Sequence, residues 1–128
     1  MISLNSPIVM QHPDNVNNWV LCSAFRYNDG DGDQEIPKGF VFDFASVPRI
    51  FWNLISPTQL GDEGPVKHDW KYKNGIGTRE SADKQFLRDM EKDGVKWWRR
   101  QAAYRAVRAF GWKYWAKGPA VIEEFAPA

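Results

Sequence analysis

The 128 residues, 43% hydrophobic and 26% charged with a formal net charge of +1, describe one globular domain spanning 1–128 with no need for extended disorder. A single cysteine, Cys22, excludes an internal disulfide and fits a reducing compartment or a particle assembled in the cytosol. No apolar run approaches the roughly 18 residues of a spanning helix, and the start has no basic region of a signal peptide.

Taken in order, Ile8-Val9-Met10 and Trp19 to Tyr27 have the β-forming residues of strands. Asn28 to Asp33 has the residues of a turn, and Glu35-Ile36-Pro37 returns, which predicts a β-hairpin. Asp29, Asp31 and Asp33 match the first ligand positions of an EF-hand. Gln34 and Phe40 then stand where its glycine and glutamate belong, so an exposed turn without metal is expected.

From Ile36 to Arg49, Phe40, Phe42 and Phe44 alternate with Val41, Asp43 and Ala45, placing Asp43 on the face opposite the rings of an extended segment. Asp43, Ser46 and Arg49 form a dense polar group amid aromatic bulk. Asp43 and Arg49 should therefore be more buried than their charges suggest. A loop rich in glycine and proline, 56–65, follows.

Three helices complete the chain. The first covers Lys67 to Lys73; the second is capped by Thr78, carries Ala82, Phe86 and Met90 as a core stripe, and ends at Gly94. The third runs from about Lys96 to Tyr114, with Ala103, Val107, Phe110 and Tyr114 as its apolar stripe. The tail after Gly118-Pro119 reads as irregular. The fold class is therefore α+β: an N-terminal β-hairpin or small antiparallel sheet, then three packed helices.

The chemistry concentrates in His68-Asp69-Trp70-Lys71-Tyr72, with Arg79 and Asp83 downstream. His68 and Tyr72 are one helical turn apart on one face, and Asp83 lies on the next helix. An imidazole, two carboxylates and a phenol converging between two helices suit a histidine base or ligand oriented by an acid. The plainer alternative is a helix cap at His68-Asp69 and a surface pair between Arg79 and Asp83.

Between Lys96 and Lys117 there are seven basic residues and no acidic one. Trp98, Arg105, Arg108, Trp112 and Trp115 cluster on the third helix as a face suited to an anionic partner. The plainer alternative makes the tryptophans core and the arginines solvated.

Gly39-Phe40, Asp43-Phe44-Ala45-Ser46-Val47-Pro48-Arg49, His68-Asp69-Trp70-x-Tyr72, Arg79-x-x-Ala82-Asp83-x-x-Phe86 and Tyr104-x-x-Val107-Arg108-x-Phe110-Gly111 resemble the signature of a domain family of unknown function from tailed phages and prophages. That resemblance implies a phage origin, in the host cytoplasm or the particle, and carries over no settled activity. His68 to Phe86 is also similar to the two-helix site of phospholipase A2 enzymes. This similarity implies His68 as general base, Asp83 steadied by Tyr72 as its orienting acid, and Asp69 as a calcium ligand. The disulfides of the secretory enzymes are absent, and Leu60-Gly61-Asp62-Glu63-Gly64 only approximates their calcium loop.

Two functions follow as expectations. One is a hydrolase site of His68, Asp69 and Asp83, with Asp43 as a further polar member, assisted by calcium and acting on lipid or another ester. The other is a non-catalytic phage component that meets other phage proteins or an anionic lipid surface, rather than nucleic acid, through its third helix. An open cleft or an ion at His68 favours the first. A sealed, hydrogen-bonded His68 under aromatic cover favours the second.

Overall fold

The computed structural model describes residues 7–14, 18–30, 32–43, 60, 61, 63–116 and 120–122. Short strands β1 (Val9–Gln11), β2 (Trp19–Leu21), β3 (Phe25–Tyr27), β4 (Gln34–Ile36) and β5 (Phe40–Phe42) precede helices α1 (Glu63–Asn74), α2 (Arg79–Lys92) and α3 (Trp97–Phe110). A 3₁₀ turn, Gly111–Tyr114, and strand β6 (Val121–Ile122) follow. The architecture is α+β, as the strand and helix patterns predict.

The expected long strand from Trp19 to Tyr27 is divided between two sheets. β2 belongs to an antiparallel sheet ordered β1-β2-β5-β6, whereas β3 pairs with β4 alone, Phe25 opposite Ile36. The change of partner at Cys22 lets Leu21 and Phe25 both enter one core with Ile36, Phe40, Phe42 and Val66. Val20 and Val41 pack on the opposite sheet face with Met10, so β5 is buried on both sides. The tail is not wholly irregular: β6 pairs with β5, Phe40 opposite Ile122.

A second core joins α2 and α3 through Phe86, Met90, Val95, Ala103, Ala106 and Val107, together with Leu60. Thr78 caps α2 as expected: its hydroxyl accepts from the Ser81 amide at 3.0 Å, and Ser81 reciprocates to the Thr78 amide at 3.1 Å. The apolar stripe expected on the third helix holds in its first half, where Ala103 and Val107 are buried and joined by Ala106, whereas Phe110 at the helix end and Tyr114 in the following 3₁₀ turn are exposed. Gly111 is required there, since a Cβ would lie 2.6 Å from the Tyr72 hydroxyl.

Helix α1 lies between the two cores. Val66 packs toward the sheet and Trp70 meets Phe40 edge-on at 5.2 Å, while His68 and Tyr72 face α2. A helix enclosed on several sides must bury polar residues too, and each then needs a partner.

Candidate functional site

His68 and Asp83 meet between α1 and α2. His68 Nε2 lies 2.6 Å from Asp83 Oδ1, and the Tyr72 hydroxyl donates to the same oxygen at 2.7 Å. The other oxygen, Oδ2, accepts from Arg108 Nη1 at 2.7 Å and is 3.5 Å from Arg79 Nη1. Asp83 is fully buried, so Arg79 and Asp83 do not form a surface pair. Arg79 itself is anchored to α3, donating to the carbonyls of Val107 and Arg108.

Burial pushes the Asp83 carboxyl up, but the bonds from His68, Tyr72 and Arg108 outweigh it and hold the acid below its ordinary value. Burial lowers His68 despite the neighbouring carboxylate. The imidazole is thus neutral and donates Nε2–H to an ionised Asp83. Burial and the Asp83 charge raise the Tyr72 phenol, which stays protonated as a donor.

The imidazole is only 3% exposed. Its ring lies 4.3 Å from that of Tyr72 and 4.5 Å from that of Phe86, centre to centre, and Trp115 closes on Tyr72 edge-on at 5.2 Å. His68 is therefore sealed under aromatic cover.

Asp69 points elsewhere. It is buried, its Oδ2 has no hydrogen-bond partner, and burial together with the charge of Asp43 pushes its carboxyl up to about 7. Asp43 is partly buried just beyond β5. Ser46 and Arg49 lie outside the described residues. Glu63, from the segment expected to approximate a calcium loop, instead starts α1 and is held by Lys92 at 2.6 Å. Among the described residues, no group of three or more His, Cys, Asp or Glu side chains is gathered to hold a metal ion.

The acidic turn is not simply exposed. Asp29 folds back onto α1, where Lys67 and Lys71 donate to it at 3.0 and 2.8 Å. Lys67 is 2% exposed and also pairs with Asp89 of α2 at 3.0 Å. Burial lowers the Lys67 ammonium, but Asp29 and Asp89 outweigh it, so it remains charged. Both ammoniums lie over the Tyr27 ring, at 5.0 and 5.5 Å. Asp33 accepts from Asn28, and Asp31 lies outside the described residues.

The partner face assembled from the sequence is divided. Trp98, Arg105 and Trp112 are exposed, but Arg108 turns inward to Asp83 and Trp115 covers Tyr72. Arg108 follows the buried Val107, so its place beside the core stripe was readable, but its acidic partner on another helix was not.

A family described as "Protein of unknown function (DUF1353)" matches residues 19–107. The chain belongs to this family. The matched span covers β2 through most of α3 and includes His68, Asp69, Tyr72, Arg79 and Asp83. The chain is also similar to "Uncharacterized protein y4jT" of Sinorhizobium fredii (strain NBRC 101917 / NGR234), with 31% identity over 94 residues. That alignment covers 71% of this chain and 28% of the relative, so the chain spans under a third of that protein's length. No solved structure matches the chain significantly.

Proposed function

We infer that this domain is a non-catalytic binding component in which the His68–Asp83 cluster fixes three helices together and α3 presents the contact face. The observation that carries this reading is the sealing of His68, a neutral imidazole at 3% exposure between two rings, with Asp83 engaged by His68, Tyr72, Arg79 and Arg108. A general base must reach the proton it abstracts, directly or through one water. A structural carboxylate instead needs its lone pairs filled, as those of Asp83 are. The motif resemblance supports a phage or prophage particle, or its assembly, as the setting.

One observation favours the hydrolase reading. Asp69, beside the histidine, keeps a buried carboxylate oxygen with no hydrogen-bond partner. A buried acceptor without a donor calls for an explanation, and a bound cation would satisfy it. In that reading Asp69 and Asp43 contribute to a calcium site, and the ion would polarise an ester carbonyl while His68 activates water.

Incubating the protein with short-chain esters and phospholipid vesicles, with and without calcium, separates the two. The binding reading predicts no turnover above buffer, no calcium shift in the thermal midpoint, and a lower midpoint for His68→Asn. Calcium-dependent turnover abolished by His68→Asn at an unchanged midpoint would establish the hydrolase instead.

A further inference from the structure

We propose that the outer face of α3 and the following 3₁₀ turn docks on an anionic lipid surface, its aromatic side chains at headgroup depth and its cations on the phosphates. The proposal rests on the binding reading above and names its partner.

The first support is where aromatic surface is left uncovered. Trp97, Trp98, Phe110, Trp112 and Tyr114 are all exposed, Trp98 at 46% and Trp112 at 61%. Trp98 and Trp112 stand on one side, 14 residues apart, with Trp97 and Tyr114 near them in sequence, a density of exposed rings above that of an ordinary surface. All five are aromatic, and four of them, the three tryptophans and Tyr114, pair an apolar body with a polar edge, as headgroup anchors do.

The second is charge. Arg105 lies on the same side of the helix as Trp98, Arg99 and Lys113 stand beside two of the rings, and no acidic residue interrupts the chain from Lys96 to Lys117. Arg99 lies over the Trp98 ring at 4.4 Å and Lys113 near the Trp112 ring at 5.7 Å, so two cations are held beside two anchors. Such positions draw the domain to a negatively charged leaflet.

The third is the layout, which chooses lipid over protein. Trp98 and Trp112 are 14 residues apart, about 21 Å along the axis. Between them the outward side carries the half-buried Gln101, Arg105 and the small Ala109, with no large ring. A protein hot spot has its aromatic anchors at a dry centre within a polar rim. Here the anchors stand at the ends and the polar residues in the middle, which suits a plane soft enough to take rings at separate points. The described residues include no helix long and apolar enough to cross a membrane.

Co-sedimentation of the full chain with vesicles of phosphatidylcholine alone, or mixed with equal phosphatidylglycerol, tests this, with a single-stranded oligonucleotide and a polyglutamate peptide as other anions. Binding to the mixed vesicles, weak binding to the neutral ones, and a loss of at least roughly tenfold in both Arg105→Glu and Trp98→Ala/Trp112→Ala are expected. Thermal unfolding of each variant confirms the fold, and Lys113→Glu replaces the tryptophan variant if that one fails to fold. Equal binding to both vesicles, or variants that bind like wild type, overturns the proposal. Capture of the oligonucleotide or peptide through the same residues without vesicle binding overturns the lipid partner and leaves the binding reading standing. No binding to any of these anions removes both.

Discussion

Asp69 is the residue whose environment has the plainest consequence. Its carboxyl sits at about 7 when folded against an ordinary value of 3.8, so the folded chain holds a proton that the unfolded chain releases. The associated stability is fully present below about pH 4 and is lost as pH rises through 7. A difference of that size between folded and unfolded chain is worth on the order of 4 kcal/mol. Asp69→Asn should therefore unfold at higher denaturant than wild type at pH 8, with the gap closing toward pH 4; urea titrations at both pH values check this. His68 acts in the opposite sense: burial lowers its folded value, so its contribution falls as pH drops through its unfolded value, where the unfolded chain takes up the proton.

Among the elements, α1 carries most of the polar burden, because it lies between two cores and buries Lys67, His68, Asp69 and Lys71 together. Lys67 ties α1 to the β3–β4 turn through Asp29 and to α2 through Asp89. Lys67→Ala would leave two mostly buried carboxylates without this counter-charge and should cost about 3–5 kcal/mol, read from denaturant unfolding. Much of the element pattern was legible in local chemistry: the Thr78 cap, the Ala82, Phe86 and Met90 stripe, and the spacing that brings His68 and Tyr72 to one side. The rest depends on long-range pairing that local pattern does not encode. Strand length failed at Cys22 because the chain changes sheets there. Asp29 looked solvated because its lysines lie 38 and 42 residues away. Arg108 looked like a surface cation because Asp83 meets it from another helix.

At the scale of the whole molecule, Asp83 is where three helices converge: His68 and Tyr72 from α1, its own α2 with Arg79, and Arg108 from α3. Holding α3 in place also fixes the aromatic face that carries Trp98, Arg105 and Trp112. The central claim is that this cluster serves the fold. Residues kept for chemistry are often neutral or even costly to stability, whereas structural pins are not. The direct measurement is the unfolding free energy of Asp83→Asn beside wild type at pH 7. The account predicts a loss of roughly 2–4 kcal/mol, below the range for a wholly buried pair because Arg79 and Arg108 keep partial access to water. A variant as stable as wild type to within about 0.5 kcal/mol, or more stable, would contradict it.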